Sequence, residues 1–276
     1  MTSFRAACIQ MCSALDPVRN LDDAEHLIRD ARRDGCQYIQ TPEQTATMEM
    51  NRQAMMNVIS AQEDCTGLKR MQALAEELDI WLHIGSMSFL VGTGDDARAV
   101  NRSLLISPAG RVAASYDKIH MFDVDLESGE SYRESASFVP GQKAVAAPLP
   151  WGTLGLSICY DLRFPYLYRA LSKQMNANIL AIPAAFTKRT GQAHWHVLMR
   201  ARAIENGAFV IAAAQGGQHE NGRKTYGHSL IVDPWGTILA EAADEPGFIA
   251  ANIDMTRVDV CRKAIPSLQH DRSFEI

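Results

Sequence analysis

A cysteine at the end of an apolar segment is the residue of this sequence best placed to do chemistry. Residues 154–158 read as a short buried strand, Cys159 follows, and Pro165 marks a helix start, where proline's fixed φ and missing N–H are tolerated. A thiol on such a turn suits an activated nucleophile, because backbone N–H groups point at the substrate and the helix dipole favours thiolate. A cysteine that only packs in the core is the alternative, and this segment alone does not decide between them.

Two other ionisable residues occupy the same kind of position. Glu43 follows the predicted strand over 38–40, and Lys118 follows the predicted strand over 112–116. Side chains just past the ends of separate strands can converge. A carboxylate could then accept the thiol proton, and a lysine could stabilise an oxyanion.

Histidine is the commoner base for a cysteine nucleophile, so residue types and spacing alone slightly favour a Cys–His pair. The candidates are His120, His194, His196, His219 and His228. His194 and His196 are two positions apart on a predicted helix, so they do not share a face and make poor joint metal ligands.

The elements that must position these residues form one continuous α/β domain over 1–276. Hairpins alternate with strand–helix units, and the predicted strand over 177–185 is apolar on both faces, which indicates layered, covered sheets. Gln215 to Gly217 is typical of a turn. Residues 122–140 form a long polar stretch without periodicity, and connections of that length are often functional.

Composition excludes several classes of function. The net charge is −5 and basic residues are interleaved with acidic ones, which argues against a nucleic-acid or membrane partner. No apolar run approaches the roughly 18 residues that span a bilayer, and the N-terminus lacks signal-peptide features. The six cysteines are scattered without a Cys-x-x-Cys pair, which predicts reduced thiols in a cytoplasmic protein and no zinc site.

The motifs taken together resemble those of the nitrilase-like carbon–nitrogen hydrolases. They occur in this order: Pro42-Glu43, Tyr116-Asp-Lys118-Ile-His120, Ile158-Cys159-Tyr-Asp-Leu-Arg163-Phe-Pro165, Ala193-His-Trp195, Arg200-Ala-Arg-Ala-Ile-Glu-Asn206, Tyr226-Gly-His-Ser229 and Asp233-Pro-Trp-Gly236. The resemblance covers a core of about 4–254 and leaves a C-terminal tail, 255–276. It implies a four-layer α-β-β-α sandwich, a homodimer or higher homo-oligomer, and no metal or organic cofactor.

The resemblance also implies roles for the candidate residues. The family's catalytic glutamate, lysine and nucleophile fall on Glu43, Lys118 and Cys159, which replaces the preference for a Cys–His pair. A supporting glutamate falls on Glu134, which gives the long polar stretch a purpose. The implied oxyanion donors are the Lys118 ammonium and the backbone N–H of Tyr160, and hydrolysis proceeds through a thioester.

Within the family, residues 191–236 are most similar to the Nit-type amidases, which act on deaminated glutathione or, as ω-amidases, on α-ketoglutaramate. The motifs Ala212-Ala-Ala-Gln215 and Tyr226-Gly-His-Ser229 resemble those of the deaminated glutathione amidases and favour the first substrate. Both substrates carry carboxylates, so the resemblance implies a cationic pocket, with Arg163, Thr187 and His194 as candidates and structural support as their alternative role. Two departures from the family pattern, Thr41 and Tyr166, bear on the pocket.

Other functions stay open at this point. Turnover of nitriles or N-carbamoyl amino acids would keep the same nucleophile, and a catalytically silent binding protein would keep only the fold.

Overall fold

The computed structural model describes residues 2–125, 129 and 131–275. In chain order its strands and helices are β1 (Ser3–Gln10), α1 (Pro17–Arg33), β2 (Tyr38–Gln40), α2 (Arg52–Val58), α3 (Thr66–Leu78), β3 (Trp81–Val91), β4 (Arg98–Ile106), β5 (Val112–Asp117), β6 (Asp123–Asp125), β7 (Ser131–Arg133), β8 (Ala146–Leu149), β9 (Gly152–Leu156), α4 (Pro165–Gln174), β10 (Ile179–Ala181), α5 (Lys188–Asn206), β11 (Phe209–Ala212), β12 (Gly216–Gln218), β13 (Lys224–Tyr226), β14 (Leu230–Val232), β15 (Ile238–Glu241), β16 (Gly247–Asp254) and α6 (Thr256–Ala264).

Two six-stranded sheets form the centre of the molecule. The first has the order β16-β1-β2-β3-β4-β5, and the second has the order β15-β14-β11-β10-β9-β8. β1, β2 and β3 are parallel to one another, as are β9, β10 and β11, whereas the outer pairs are antiparallel. This arrangement leaves the ends of the central strands free to carry a site.

Strand β1 shows how the layers are stacked. Its side chains alternate between faces, as they must in a strand. Ala6 and Cys8 pack in the core shared with the second sheet, α4 and α5, whereas Ala7 and Ile9 pack against α1 and α3. Each sheet is therefore covered by helices on its outer face. The predicted four-layer α-β-β-α sandwich is confirmed.

Three local predictions differ from the structure. The strand predicted over 177–185 is only β10, because Pro183 has no N–H to donate to the ladder. The predicted turn at Gln215 to Gly217 runs into β12, which pairs with β13. The polar stretch contains a small β6–β7 hairpin, although residues 126–128 and 130 lie outside the described residues.

No helix among the described residues is long and apolar enough to cross a membrane.

Candidate active site

Cys159 lies on a sharp turn between β9 and α4. Its φ is +49°, a left-handed value that a residue with a Cβ adopts only when its surroundings impose it. Two hydrogen bonds impose it here. The Cys159 N–H donates to the Pro183 carbonyl oxygen at 2.9 Å, and the preceding Ile158 N–H donates to the Asp161 carboxylate at 2.9 Å. The sequence prediction of a strand, a thiol on a turn and a proline at the helix start is confirmed.

Asp161 fixes the turn relative to the lysine segment. This fully buried carboxylate accepts hydrogen bonds from the Tyr116 hydroxyl at 2.6 Å and from the His120 backbone N–H at 3.1 Å. Tyr116 and His120 flank Lys118 in the sequence. One carboxylate therefore positions the segments that carry Cys159 and Lys118 together.

The five candidate histidines form hydrogen bonds with residues other than Cys159. His120 Nδ1 lies 2.6 Å from Asp161, its Nε2 lies 2.6 Å from the Tyr166 hydroxyl, and its ring stacks on Phe164 with centroids 3.6 Å apart. The other four are also engaged elsewhere: His194 with Arg163, His196 and His228 with Glu241, and His219 with the Ser13 carbonyl and Thr225. A Cys–His pair, which spacing alone favoured, is wrong.

Glu43 is the carboxylate that reaches the thiol. Its side chain is 5% exposed and interacts with the Cys159 thiol. Its Oε2 accepts the Ala185 N–H at 2.8 Å, and its Oε1 accepts from Lys118 Nζ at 2.9 Å and from Asn101 Nδ2 at 3.0 Å. These bonds hold the carboxylate in one orientation beside the sulfur.

Lys118 lies between two glutamates. Its Nζ is 2.9 Å from Glu43 Oε1 and 2.8 Å from Glu134 Oε2, and the lysine is 2% exposed. Asn101 Nδ2 also approaches Glu134 Oε1 at 3.3 Å. The structure thus brings together the four residues to which the family resemblance assigned catalytic or supporting roles: Glu43, Lys118, Glu134 and Cys159.

The charges of the cluster follow from its burial and contacts. Burial by itself raises the pKa of the Glu43 carboxyl, but the Lys118 ammonium and the interaction with the thiol outweigh it, so the pKa lies below its usual value. Burial lowers the pKa of Lys118, but the negative charges of Glu134 and Glu43 raise it above its ordinary value. At neutral pH these two groups form an ion pair.

The same burial and charges set the protonation state of the Cys159 thiol. Burial, and next the charge of Glu43, raise the pKa of Cys159 well above its ordinary value, and the nearby Lys118 does not offset them. The resting residue is therefore a neutral thiol, which agrees with a mechanism in which Glu43 accepts its proton. Burial is the main reason, and the ionised carboxylate beside the sulfur adds to it.

Gly85 packs closely against the loop that carries Glu43. A Cβ at this position would overlap the Thr41 carbonyl oxygen and lie 2.5 Å from the Pro42 carbonyl oxygen and from Pro183 Cβ. Since Pro183 also accepts the Cys159 N–H, this close contact ties the loop of the carboxylate to the turn of the thiol.

A cavity of about 360 Å³ opens above the cluster. Its described lining includes Tyr160 and Thr187 besides the four clustered residues, but neither Arg163 nor His194. The Arg163 guanidinium lies 5.2 Å from the centroid of the Phe186 ring, which lines the cavity. Direct contact of Arg163 and His194 with substrate stays a prediction. Their positions outside the cavity lining do not support it.

The two departures from the family pattern do not line the cavity. Thr41 is fully buried, and its hydroxyl bonds that of Thr45 at 2.7 Å and accepts the Gly85 N–H at 3.1 Å. Tyr166 is 65% exposed and bonds His120. Thr41 therefore shapes the loop of Glu43 rather than the pocket wall.

Sequence reasoning missed the cations of the cavity wall, Arg52, Arg133 and Arg223. Arg223 donates to the Ala185 carbonyl oxygen at 2.6 Å, and its guanidinium lies 5.6 Å from the Tyr132 ring centroid. Its buried Nε–H has no hydrogen-bond partner among the described residues. Nothing local in the sequence marks Arg223, because it lies in a polar turn between β12 and β13.

Sequence reasoning also missed Asn101, although the sequence contained a signal for it. It lies in the predicted strand before the hairpin turn, and as a fully buried amide in β4 it needs hydrogen-bond partners.

Comparison with known proteins agrees with this geometry. The family model for carbon–nitrogen hydrolases matches residues 5–263. A deaminated glutathione amidase from Synechocystis sp. is 43% identical over 272 residues, which cover 98% of each chain. The crystal structure of the C. elegans NitFhit protein has a TM-score of 0.91 and 35% identity over 99% of this chain and 66% of that one.

A third similar structure is informative about the cysteine. It is a mutant of the amidase from Nesterenkonia sp. AN1, with a TM-score of 0.81 and 26% identity over 98% of this chain and 94% of that chain. In that structure the acetamide moiety of fluoroacetamide is covalently added at the active-site cysteine.

Proposed function

Because the chain belongs to the carbon–nitrogen hydrolase family, we propose that it hydrolyses the amide bond of a small carboxylate-bearing substrate through a thioester on Cys159. The observation that carries this proposal is the convergence of the thiol, the Glu43 carboxylate and the Lys118 ammonium at one cavity. The covalent adduct at the active-site cysteine of the Nesterenkonia amidase supports the choice of Cys159.

In the first half-reaction Glu43 removes the thiol proton while the sulfur attacks the amide carbonyl carbon. The carboxylate is suited to this task because it is ionised and interacts with the thiol at rest. The sulfur is neutral at rest, so negative charge develops on it only as the reaction proceeds. The carbonyl π electrons move to the oxygen, which becomes an oxyanion.

Two donors are placed to stabilise that oxyanion. Lys118 Nζ faces the cavity between the glutamates. The Tyr160 N–H lies in the first turn of the short helix Cys159–Arg163, where backbone donors lack intrahelical acceptors. Donors fixed in advance at a developing charge lower the barrier without reorganisation.

Glu43, protonated as the sulfur attacks, gives that proton to the leaving nitrogen as the oxyanion re-forms the carbonyl and the C–N bond breaks, which leaves the thioester. In the second half-reaction Glu43 accepts a proton from the water that attacks the thioester carbonyl. It returns that proton to the sulfur as the C–S bond breaks, so the acid leaves and the thiol is restored. Glu134, whose Oε2 lies 2.8 Å from Lys118 Nζ, positions the lysine and so assists both steps.

We propose deaminated glutathione as the substrate. The Synechocystis relative carries that name, and the molecule is an amide with a carboxylate at each end. The arginines of the cavity wall could bind such groups, and Arg223 has a buried donor available. α-Ketoglutaramate, N-carbamoyl amino acids and nitriles are the alternative substrates.

A product screen tests the proposal. The purified chain is incubated with deaminated glutathione, α-ketoglutaramate, an N-carbamoyl amino acid and a nitrile, and the acid products are quantified by mass spectrometry. We expect turnover of deaminated glutathione, abolition by Cys159→Ala, and unchanged turnover in the matched variant Cys12→Ser. Full activity of Cys159→Ala, or substrate binding without any turnover, would contradict the mechanism.

A second experiment tests the carboxylate site. Arg223→Gln should raise KM for deaminated glutathione by about 10- to 100-fold, since a hydrogen bond to a charged group contributes about 1.5–3 kcal/mol. The exposed neighbour Lys224, changed to Gln, is the matched control. An unchanged KM in Arg223→Gln would show that the substrate carboxylate does not bind Arg223.

Assembly and location stay predictions. We expect a homodimer or larger homo-oligomer in the cytoplasm. Exposed apolar side chains on α5 and the β14–β15 hairpin, Val197, Ile204 and Trp235, are 50–68% exposed and support an interface there. Sedimentation analysis would measure the assembly.

A further inference from the structure

Three side chains from separate elements form a cluster, and none of the three lines the cavity. His196 lies on α5, His228 lies between β13 and β14, and Glu241 ends β15. His196 Nε2 is 2.7 Å and His228 Nδ1 is 2.9 Å from the same oxygen, Glu241 Oε1. The three ligand atoms all lie within 4.8 Å of one another.

This spacing is close to that of a transition-metal site. Zinc holds nitrogen and carboxylate ligands at about 2.0–2.2 Å, so tetrahedral neighbours are about 3.3 Å apart. The two short contacts would need to widen by about half an ångström. The side chains of His196, His228 and Glu241 are 31%, 24% and 34% exposed, so they have room to move and leave one side open to water.

Asp244 also orients the His228 ring. Its other ring nitrogen, Nε2, lies 3.2 Å from Asp244 Oδ1. Histidines that bind metals almost always donate their second ring N–H to such a partner. The Tyr226 ring stacks on His228 with centroids 4.3 Å apart, and the backbone of His228 is held at a φ of +53°.

The charges at this place favour a cation. Glu241 and Asp244 supply two carboxylates, and one cation, Lys188, has its Nζ 3.6 Å from Asp244 Oδ2. Both ring nitrogens of His228 face carboxylate oxygens. A bound metal ion would satisfy Nδ1 of His228 and leave the Nε2 proton for Asp244.

We propose that His196, His228 and Glu241 bind one divalent transition-metal ion, with zinc as the preferred ion, water as a fourth ligand and Asp244 as the partner that orients His228. The ion links α5 to the β14–β15 hairpin. The first residues of α5 follow Thr187 at the cavity, so the link stabilises that wall. It takes no part in the proposed hydrolysis.

Calorimetric titration of the metal-free chain with Zn²⁺ tests this site. The titration uses a Cys159→Ala background, so that the thiol of the candidate active site does not contribute. We expect one ion per chain. His196→Ala and Glu241→Gln should each abolish this binding, and Asp244→Asn should weaken it by about 10-fold. His194→Ala, on the same helix but in contact with Arg163, is the matched control and should bind as the parent does.

Folding is checked by thermal unfolding without metal. Glu241→Gln keeps an oxygen acceptor for both histidines, so it should melt like the parent, and Zn²⁺ should raise the melting temperature only of chains that keep the three ligands. Absence of binding, or binding that survives His196→Ala, would overturn the proposal. So would loss of binding in Cys12→Ser, because Cys12 Sγ lies 3.8 Å from His219 Nδ1 and offers a competing pair.

Discussion

Replacement of Lys118 by methionine is the most informative single perturbation of the site. The wild-type cluster balances one buried ammonium against two carboxylates, at 2.9 Å from Glu43 and 2.8 Å from Glu134. Methionine fills a similar volume but removes the charge. Glu43 and Glu134 would then face each other across an apolar side chain, without a cation between them.

The expected cost in the free energy of unfolding is about 3–5 kcal/mol at pH 8, the range for removal of one partner from a buried ion pair. A loss of that size corresponds to about 10 °C in melting temperature for a chain of this length. Turnover should fall by at least about 100-fold, because an oxyanion donor is lost.

The cost should depend on pH with a definite sign. In the wild type the pKa of Glu43 lies below its usual value, so its stabilisation is present above about pH 4.3 and is lost as the pH falls further. In Lys118→Met burial is no longer opposed by the ammonium, so the pKa of Glu43 rises. The stability deficit should therefore be largest at pH 8 and shrink as one carboxyl takes up a proton towards pH 5.

Thermal and urea unfolding at pH 5 and pH 8 measure these differences. The double variant Lys118→Met/Glu134→Gln removes one uncompensated carboxylate and should recover stability but not activity. Arg102→Met, which breaks a partly exposed pair with Asp117, is the matched control and should cost only about 1 kcal/mol or less. A deficit that is equal at both pH values, or a double variant no more stable than the single one, would refute this account of the charges.

Three further predictions concern the scaffold and the base. Gly85→Ala should lower both melting temperature and activity, because its Cβ would overlap the Thr41 carbonyl oxygen; a variant with wild-type activity would contradict the tight contact. Asp161→Asn should lose about 2–3 kcal/mol of unfolding free energy, since an amide cannot accept at both of its polar atoms, and urea denaturation measures this. The acidic limb of kcat/KM should lie below about pH 4.3, because Glu43 must be ionised and its pKa is lowered; a limb near pH 6, with the fold intact by fluorescence, would exclude Glu43 as the base.

The sequence by itself determined the elements and the residues most able to do chemistry. Apolar residues before polar corners predicted the strands β2, β5 and β9, and a proline predicted the start of α4. Motif order picked out Glu43, Lys118, Glu134 and Cys159. Such signals are readable because periodicity, turn chemistry and motifs are local properties of the chain.

Only the tertiary structure decided how these residues act on one another. It showed that Asp161 joins the turn of Cys159 to the Lys118 segment, that Asn101 bridges both glutamates, and that Arg223 faces the cavity. It also showed that burial and the charge of Glu43 set the protonation state of the thiol. A pKa depends on burial and on charges a few ångströms away, and here those charges come from residues 41 and 116 positions distant in the sequence. Spacing along the chain carries no record of those distances.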